Sequence, residues 1–455
     1  MSNNKGLEYK KQTVYQRADE SITKTAFDYA EEYKKYLDNS KTEREAVKTS
    51  IALIEAKGYR EYKLGDKICA GDKLYYNNRG KNLFAISVGT EPINNGIRIV
   101  AAHVDSPRID LKPCPLYEDG GMAFFKTHYY GGIRKYQWLA LPLALHGVVA
   151  LSDGTTVDVC VGENDGDPQF YINDLLPHLD RDAQKKVSEL ISGEQLNILL
   201  GSMPYGEDNS VKQNILRILN EKYGICENDF LSAELCAVPA MKARDIGFDR
   251  SLIGAYGHDD KVCAYPALTA LLENSDSEHT LMCILADKEE TGSDSLFGMQ
   301  SDLMLDIIAE LSQNLGGNER VVRHNSKCLS ADVSCAYDPN FADAFEKQNT
   351  PMLACGAVFM KYTGSGGKSS TNDASAEYLG WLRSILERDR VVWQTGELGK
   401  VDRGGGGTVA KYISKHNIET IDLGVPVISM HAPCEVIAKV DLYETHRAIN
   451  AFFKY

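Results

Sequence analysis

No stretch of the 455-residue chain is apolar for long enough to cross a bilayer. The longest apolar run, Trp138 to Leu151, is broken by Pro142 and His146 and falls short of the roughly 20 residues that a spanning helix needs. The polar segment from Met1 to Glu20 lacks the apolar core of a secretory signal. No C-x-x-C pair occurs. The 11 cysteines are odd in number and scattered singly, which fits neither a zinc ribbon nor a disulfide framework. Basic charge is not in excess: a formal net charge of -14 argues against nucleic-acid or anionic-membrane partners. Internal repeats, low-complexity tracts and blocks of like charge are missing too. These absences leave a soluble cytoplasmic protein with reduced, packed thiols as the expectation.

The length allows two or three domains of about 150 residues, or one large domain carrying an insertion. Ile22, Ala26, Tyr29, Tyr33 and Leu37 keep a helical period, and Thr42-x-x-Glu45 reads as a capping box for a second helix that stops at Gly58. Runs typical of buried strands follow at Leu83 to Val88, Ile97 to Ala102, Thr280 to Ala286, Leu329 to Ala331, Ala357 to Met360 and Val427 to Met430. Helices are expected at Lys261 to Leu272, Leu296 to Leu315, Ala374 to Asp389 and Glu435 to Phe453. Strands alternating with helices predict an α/β fold with parallel strands at the centre of the sheet. The segment 109–244 reads differently, with a hairpin signal at Asp153-Gly154 and a charged helical stretch from Leu179 to Ile191. It is expected to be a second domain inserted between residues 1–108 and 245–455 of the first.

Potential metal ligands fall where elements end. Asp287-Lys288-Glu289-Glu290 directly follows the apolar run to Ala286, and adjacent carboxylates at the mouth of a buried strand are costly unless a cation sits beside them. His103 and Asp105 follow one strand, Asp332 another and His431 a third, while Asp259 and Asp260 precede a helix. In open α/β sheets ligands bind beyond the carboxyl ends of strands, so these groups are placed to converge. Taken singly each has a plain reading: a loop histidine, a helix cap or a solvated helix start. Their joint occurrence points to metal chemistry. Two histidines with several carboxylates and no cysteine suit zinc, and also manganese or cobalt. One carboxylate can bridge two ions, one glutamate can ligate while its neighbour acts as general base, and Asp105 is placed to receive the ring N–H of His103.

The ordered motifs His103-x-Asp105-Ser106-Pro107, Asp259-Asp260, Asp287-x-Glu289-Glu290-x-Gly292-Ser293, Ser330-Ala331-Asp332 and Ser429-Met430-His431 resemble the aspartyl aminopeptidases, metallopeptidase family eighteen, in a bacterial branch. That resemblance implies an α/β metallopeptidase domain interrupted by a smaller β-rich dimerisation domain. It implies two divalent cations, one held by His103 and Asp332, the other by Glu290 and His431, with Asp259 between them and Glu289 as general base. It implies a peptide substrate with an acidic N-terminal residue met by Lys361, and a tetrahedral homododecamer built from dimers. In that assembly His178, within Leu176-Pro177-His178-Leu179, would enter a neighbour's active site and steady the oxyanion. The chain departs from many relatives at Cys335 and Asp338, where histidines are common, and this bears on the acidic preference.

Other functions compete. Gly364-Ser365-Gly366-Gly367-Lys368-Ser369 ends like a phosphate-binding loop, but the motif needs glycine at position 362, which is Tyr362. Gly404 to Gly407 is better suited to letting backbone approach a substrate closely. A two-metal carboxypeptidase or amide deacylase would use the same ions, and a non-catalytic assembly protein would keep the fold alone.

Overall fold

The computed structural model describes residues 7–179 and 186–455. Its centre is a nine-stranded sheet in the order Arg60–Glu61, Lys73–Asn78, Asn82–Ser87, Thr280–Ala286, Ile97–His103, Lys327–Ala331, Glu419–Gly424, Ala357–Met360 and Trp393–Thr395. The four middle strands run parallel. Nearly every residue of these four strands is buried, because both faces of the sheet are covered. Val100 and Ala102 of one strand and Leu281, Cys283 and Leu285 of the next point into one core, closed by helices Glu20–Asp38, His258–Glu273, Ala376–Arg388 and Lys439–Lys454. The alternate residues Ile97, Ile99, Met282 and Ile284 point into the other, closed by Leu303–Asn314. The two-residue strand period thus makes a three-layer α/β/α sandwich.

A seven-stranded antiparallel sheet takes all its strands from the stretch between Arg108 and Pro239. Its hairpin Leu143–Ala150 to Thr156–Val161 turns at Asp153-Gly154 as the sequence predicts. Of the expected helix from Leu179 to Ile191, residues 180–185 lie outside the described part, and Val187–Glu189 forms a short 3-10 turn. A third sheet of five short strands includes Leu252–Ala255, Glu435–Ala438 and Pro426–Ile428. Among the described residues no helix is long and apolar enough to cross a membrane.

Several boundaries differ from expectation. The run Val427 to Met430 is a strand only to Ile428 and belongs to the small sheet, after which Ser429 and His431 take positive φ. Glu435–Ala438 pairs as a strand with Leu252–Ala255, so the last helix starts at Lys439. The helix expected from Leu296 starts at Leu303, because Ser293 and Ser295 take positive φ and the loop closes through Gln300 N donating to Ser293 O at 3.1 Å.

The capping box is formed as predicted: Glu45 N donates to Thr42 Oγ1 at 3.3 Å, and Thr42 N donates to Glu45 Oε2 at 3.0 Å. A buried ion cluster ties three elements together. Asp245 Oδ1 lies 2.8 Å from both Lys34 Nζ and Lys439 Nζ, and its Oδ2 lies 2.7 Å from Arg250 Nε. Burial raises the Asp245 carboxyl, but these three cations outweigh it and hold the group well below the usual carboxylate range. Lys439 is only 2% exposed, so Asp245→Asn leaves its buried ammonium with only the more distant and half-exposed Glu31, at 3.5 Å. The expected cost is about 3–5 kcal/mol, read as a lower Tm at neutral pH. A depressed carboxyl stabilises the fold above its unfolded pKa of about 4. The gap between variant and wild type should therefore close as pH falls below that value.

Candidate active site

Three neighbouring parallel strands end at one edge of the main sheet, and each carries a candidate ligand there. His103 closes its strand and pairs in register with Ala286, the residue before Asp287; Asp332 follows the strand that ends at Ala331. Asp259 lies at the start of helix His258–Glu273 and is joined to Asp260 by a cis peptide bond. His431 arrives from the small sheet.

These side chains meet. His103 Nε2 is 3.1 Å from Asp259 Oδ1 and 3.8 Å from Asp332 Oδ1. His431 Nε2 is 3.3 Å from Asp259 Oδ2 and 3.6 Å from Glu290 Oε2. Two donor sets, His103-Asp259-Asp332 and Asp259-Glu290-His431, therefore share Asp259, with the donor atoms of each set within 4.8 Å of one another. Glu289 belongs to neither set, and its Oε2 stands 3.9 Å from His103 Nε2.

The electrostatics ask for positive charge. Burial and then Asp332 push the Glu289 carboxyl up to about 8, while burial and then Asp259 hold Glu290 well above its ordinary range. Burial opposes a charge on His431, yet Asp259 and Glu290 push its imidazole up to about 10. Against the same opposition, Asp105, Asp259 and Asp332 hold His103 well above the usual histidine range. Asp259 Oδ1 and Glu290 Oε1 are buried without a well-aligned hydrogen-bond donor, the short approach of His103 to Asp259 included. Buried carboxylate oxygens in that state fit a divalent cation, and histidine with carboxylate is a donor set that zinc accepts.

The surrounding groups fix the ligands. Asp105, expected to orient His103, does so through its backbone carbonyl at 3.0 Å from Nδ1 and through Oδ1 at 3.3 Å. Its carboxylate also accepts from Glu289 N and Glu290 N, each at 3.2 Å, and from the Tyr130 hydroxyl at 2.7 Å. Gly132 O accepts from His431 Nδ1 at 3.0 Å, which leaves Nε2 facing Asp259 and Glu290.

Glu435 is a functional residue that sequence reasoning missed. Fully buried, it accepts from Asp259 N at 3.0 Å and from His431 N at 2.7 Å, and so spaces the shared aspartate from the histidine. The only signal for it was a lone carboxylate opening an apolar run four residues after His431.

A cavity of about 390 Å³ opens beside these groups. Glu289, Glu290, Asp259, Asp332 and His431 form its charged end, while the rest is lined by the apolar Val333, Met360, Leu398 and Met430, by Cys335, by the uncharged polar Ser334, Thr363 and Thr408, and by glycines that include Gly405, Gly406 and Gly407. The glycine segment thus stands at the wall where a substrate would lie. Lys361 does not line this cavity: the chain alternates after Met360, and the Lys361 ammonium pairs instead with Asp373 at 3.3 Å. His178 sits in an exposed turn and is not part of the cavity lining either.

Over residues 36–453 the chain matches the family model described as aminopeptidase I zinc metalloprotease (M18). It is 48% identical over 464 residues to a probable M18 family aminopeptidase 1 of Clostridium acetobutylicum, covering 99% of each chain. A solved aminopeptidase of the M18 family from Thermotoga maritima superposes with a TM-score of 0.94 at 40% identity, over 98% of this chain and 100% of that one. The crystal structure of aminopeptidase I from Clostridium acetobutylicum gives 0.92 at 44% identity, over 99% and 100%.

Proposed function

Since the chain belongs to the M18 family of zinc metallopeptidases and is on that ground a metal-dependent aminopeptidase, we propose that it releases N-terminal residues from peptides at a centre of two divalent cations. The observation that carries this reading is the double use of Asp259, whose two oxygens face His103 and His431 separately. One ion is assigned to His103 and Asp332, the other to Glu290 and His431, with Asp259 common to both. Zinc suits these donors best, and manganese or cobalt would also be accepted. When bound, such ions polarise a scissile carbonyl and lower the pKa of water.

The protein's own groups do the rest. Glu289 takes the proton of the attacking water on its carboxylate and hands it to the departing amine. Asp105 holds His103 in one tautomer, and Gly132 O does the same for His431. Carboxylates at the polar end of the cavity accept from the substrate's α-ammonium, which selects chain ends over internal bonds.

For the side chain to be removed, the cavity lining, uncharged away from the metal-binding end, supports an uncharged residue over the acidic one that family resemblance implies. Among the described residues that line it no lysine or arginine occurs, and burying a carboxylate without a counter-charge is costly. On chromogenic substrates kcat/KM for Leu or Met should exceed that for Asp or Glu by about 10- to 100-fold. A panel in which Asp is preferred would return Lys361 to the substrate. Chelation should abolish turnover on every substrate and added zinc, manganese or cobalt restore it; turnover that survives full metal removal would overturn the reading.

We extend the same reading to assembly. His178 is flanked by the exposed Leu175, Leu176 and Leu179, and this supports a segment that docks on another copy and reaches its active site. The seven-stranded sheet is assigned as the dimerising unit of a tetrahedral dodecamer, and the free state of all 11 cysteines supports a cytoplasmic setting.

A further inference from the structure

Away from the active site, a histidine, a cysteine and two glutamates meet where the helix Glu43–Glu55 packs on the seven-stranded sheet. His146 and Cys160 are directly opposed on adjacent antiparallel strands, so their side chains share a face. His146 Nδ1 is 2.7 Å from Glu45 Oε1. Donor atoms of Glu45, His146 and Cys160 all lie within 4.8 Å of one another. Zinc bonds of about 2.0 Å to nitrogen or oxygen and 2.3 Å to sulfur set tetrahedral ligand atoms about 3.3–3.6 Å apart. Small side-chain movements reach that spacing.

The remaining contacts fit a metal-binding role. Glu45 keeps Oε1 for this cluster because its Oε2 is engaged by Thr42 N in the capping box. The second ring nitrogen, His146 Nε2, faces Glu163 Oε1 at 3.2 Å, the carboxylate–histidine relay that fixes the tautomer of a metal-binding imidazole. Glu163 is itself held by Lys242 at 3.3 Å and Lys41 at 3.9 Å. His146 is 2% exposed whereas Cys160 is open to solvent, which gives an ion an entry path and a water for the fourth position.

We propose that Glu45, His146 and Cys160 bind a zinc-class divalent cation, distinct from the catalytic ions, that fastens the seven-stranded sheet to the main α/β body. Binding releases two protons, one from the Nδ1 of the imidazolium and one from the Cys160 thiol, while Nε2 keeps its proton and donates it to Glu163. The demand for positive charge is already present: burial opposes it, but Cys160, Glu163 and Glu45 push the imidazole up to about 11.

Cobalt(II) reports this site selectively, because the ligands assigned to the catalytic ions include no sulfur. Full-length protein saturated with cobalt should show a thiolate-to-cobalt charge-transfer band in the near ultraviolet. Cys160→Ser, a change on an exposed face, should remove the band and one equivalent of bound metal, while Cys335→Ser in the active-site cavity should leave both. A saturated wild type without the band, or a band that survives in Cys160→Ser, overturns the proposal. His146 would then be a protonated side chain pinned between two glutamates and nothing more.

Discussion

Glu289→Gln is expected to bind the same amount of metal as the wild type and to lose about two to four orders of magnitude in kcat. Glu289 stands 3.9 Å from His103 yet belongs to neither donor set that shares Asp259, so a carboxamide of the same shape leaves both sets intact. It removes the only property the mechanism asks of the residue, an oxygen that can take up a proton. Elemental analysis and steady-state kinetics on one preparation check both halves. If kcat stays within tenfold of the wild type, another group carries the proton; if metal content falls with it, Glu289 is a ligand.

Asp259→Asn should have the opposite signature. Because both donor sets pass through this one carboxylate, the variant loses both ions rather than one, and turnover falls to the assay background. Metal present at about 1,000 times its dissociation constant stabilises a folded protein by about 4 kcal/mol per site. Added zinc should therefore raise the Tm of the wild type clearly and that of the variant hardly at all, apart from any contribution of the site at Cys160. Titration calorimetry that still finds a full complement of tight catalytic ions in Asp259→Asn would remove it from its central place.

Much of the main sheet was legible because its middle strands are buried on both faces and read as unbroken apolar runs. Glu419–Gly424 escaped notice for a physical reason: it is a central strand that carries Thr420 and Asp422 in its interior. Asp422 is fully buried and accepts from Thr408 Oγ1 at 2.6 Å, so the polar residues that broke the apolar pattern anchor the segment just beyond the glycine loop. Glu435–Ala438 reads as the first turn of the last helix, and only pairing with Leu252–Ala255 makes it a strand. Such long-range pairing leaves no local mark in sequence. The ligand candidates were visible because each stands at the end of an element, and the structure brings His103, Asp259, Glu290, Asp332 and His431 together. Glu435 was not, since its work is to accept from backbone N–H groups, one of them 176 residues away. Lys361, a charge at a strand end, pairs with Asp373 at 3.3 Å and does not line the cavity, so its position in the chain alone does not say what its ammonium meets.

Gly131 and Gly132 lie just after Tyr130, the last residue of a strand of the seven-stranded sheet. A Cβ on Gly132 would come within 3.0 Å of His431 Nδ1, and one on Gly131 within 3.3 Å of Glu290 Oε2. The backbone that leaves that sheet is thus itself a wall of the cavity, touching the imidazole through a bare carbonyl. A displacement at the end of that strand would therefore reach His431 through the Gly132 carbonyl itself, with no relay of side chains between them.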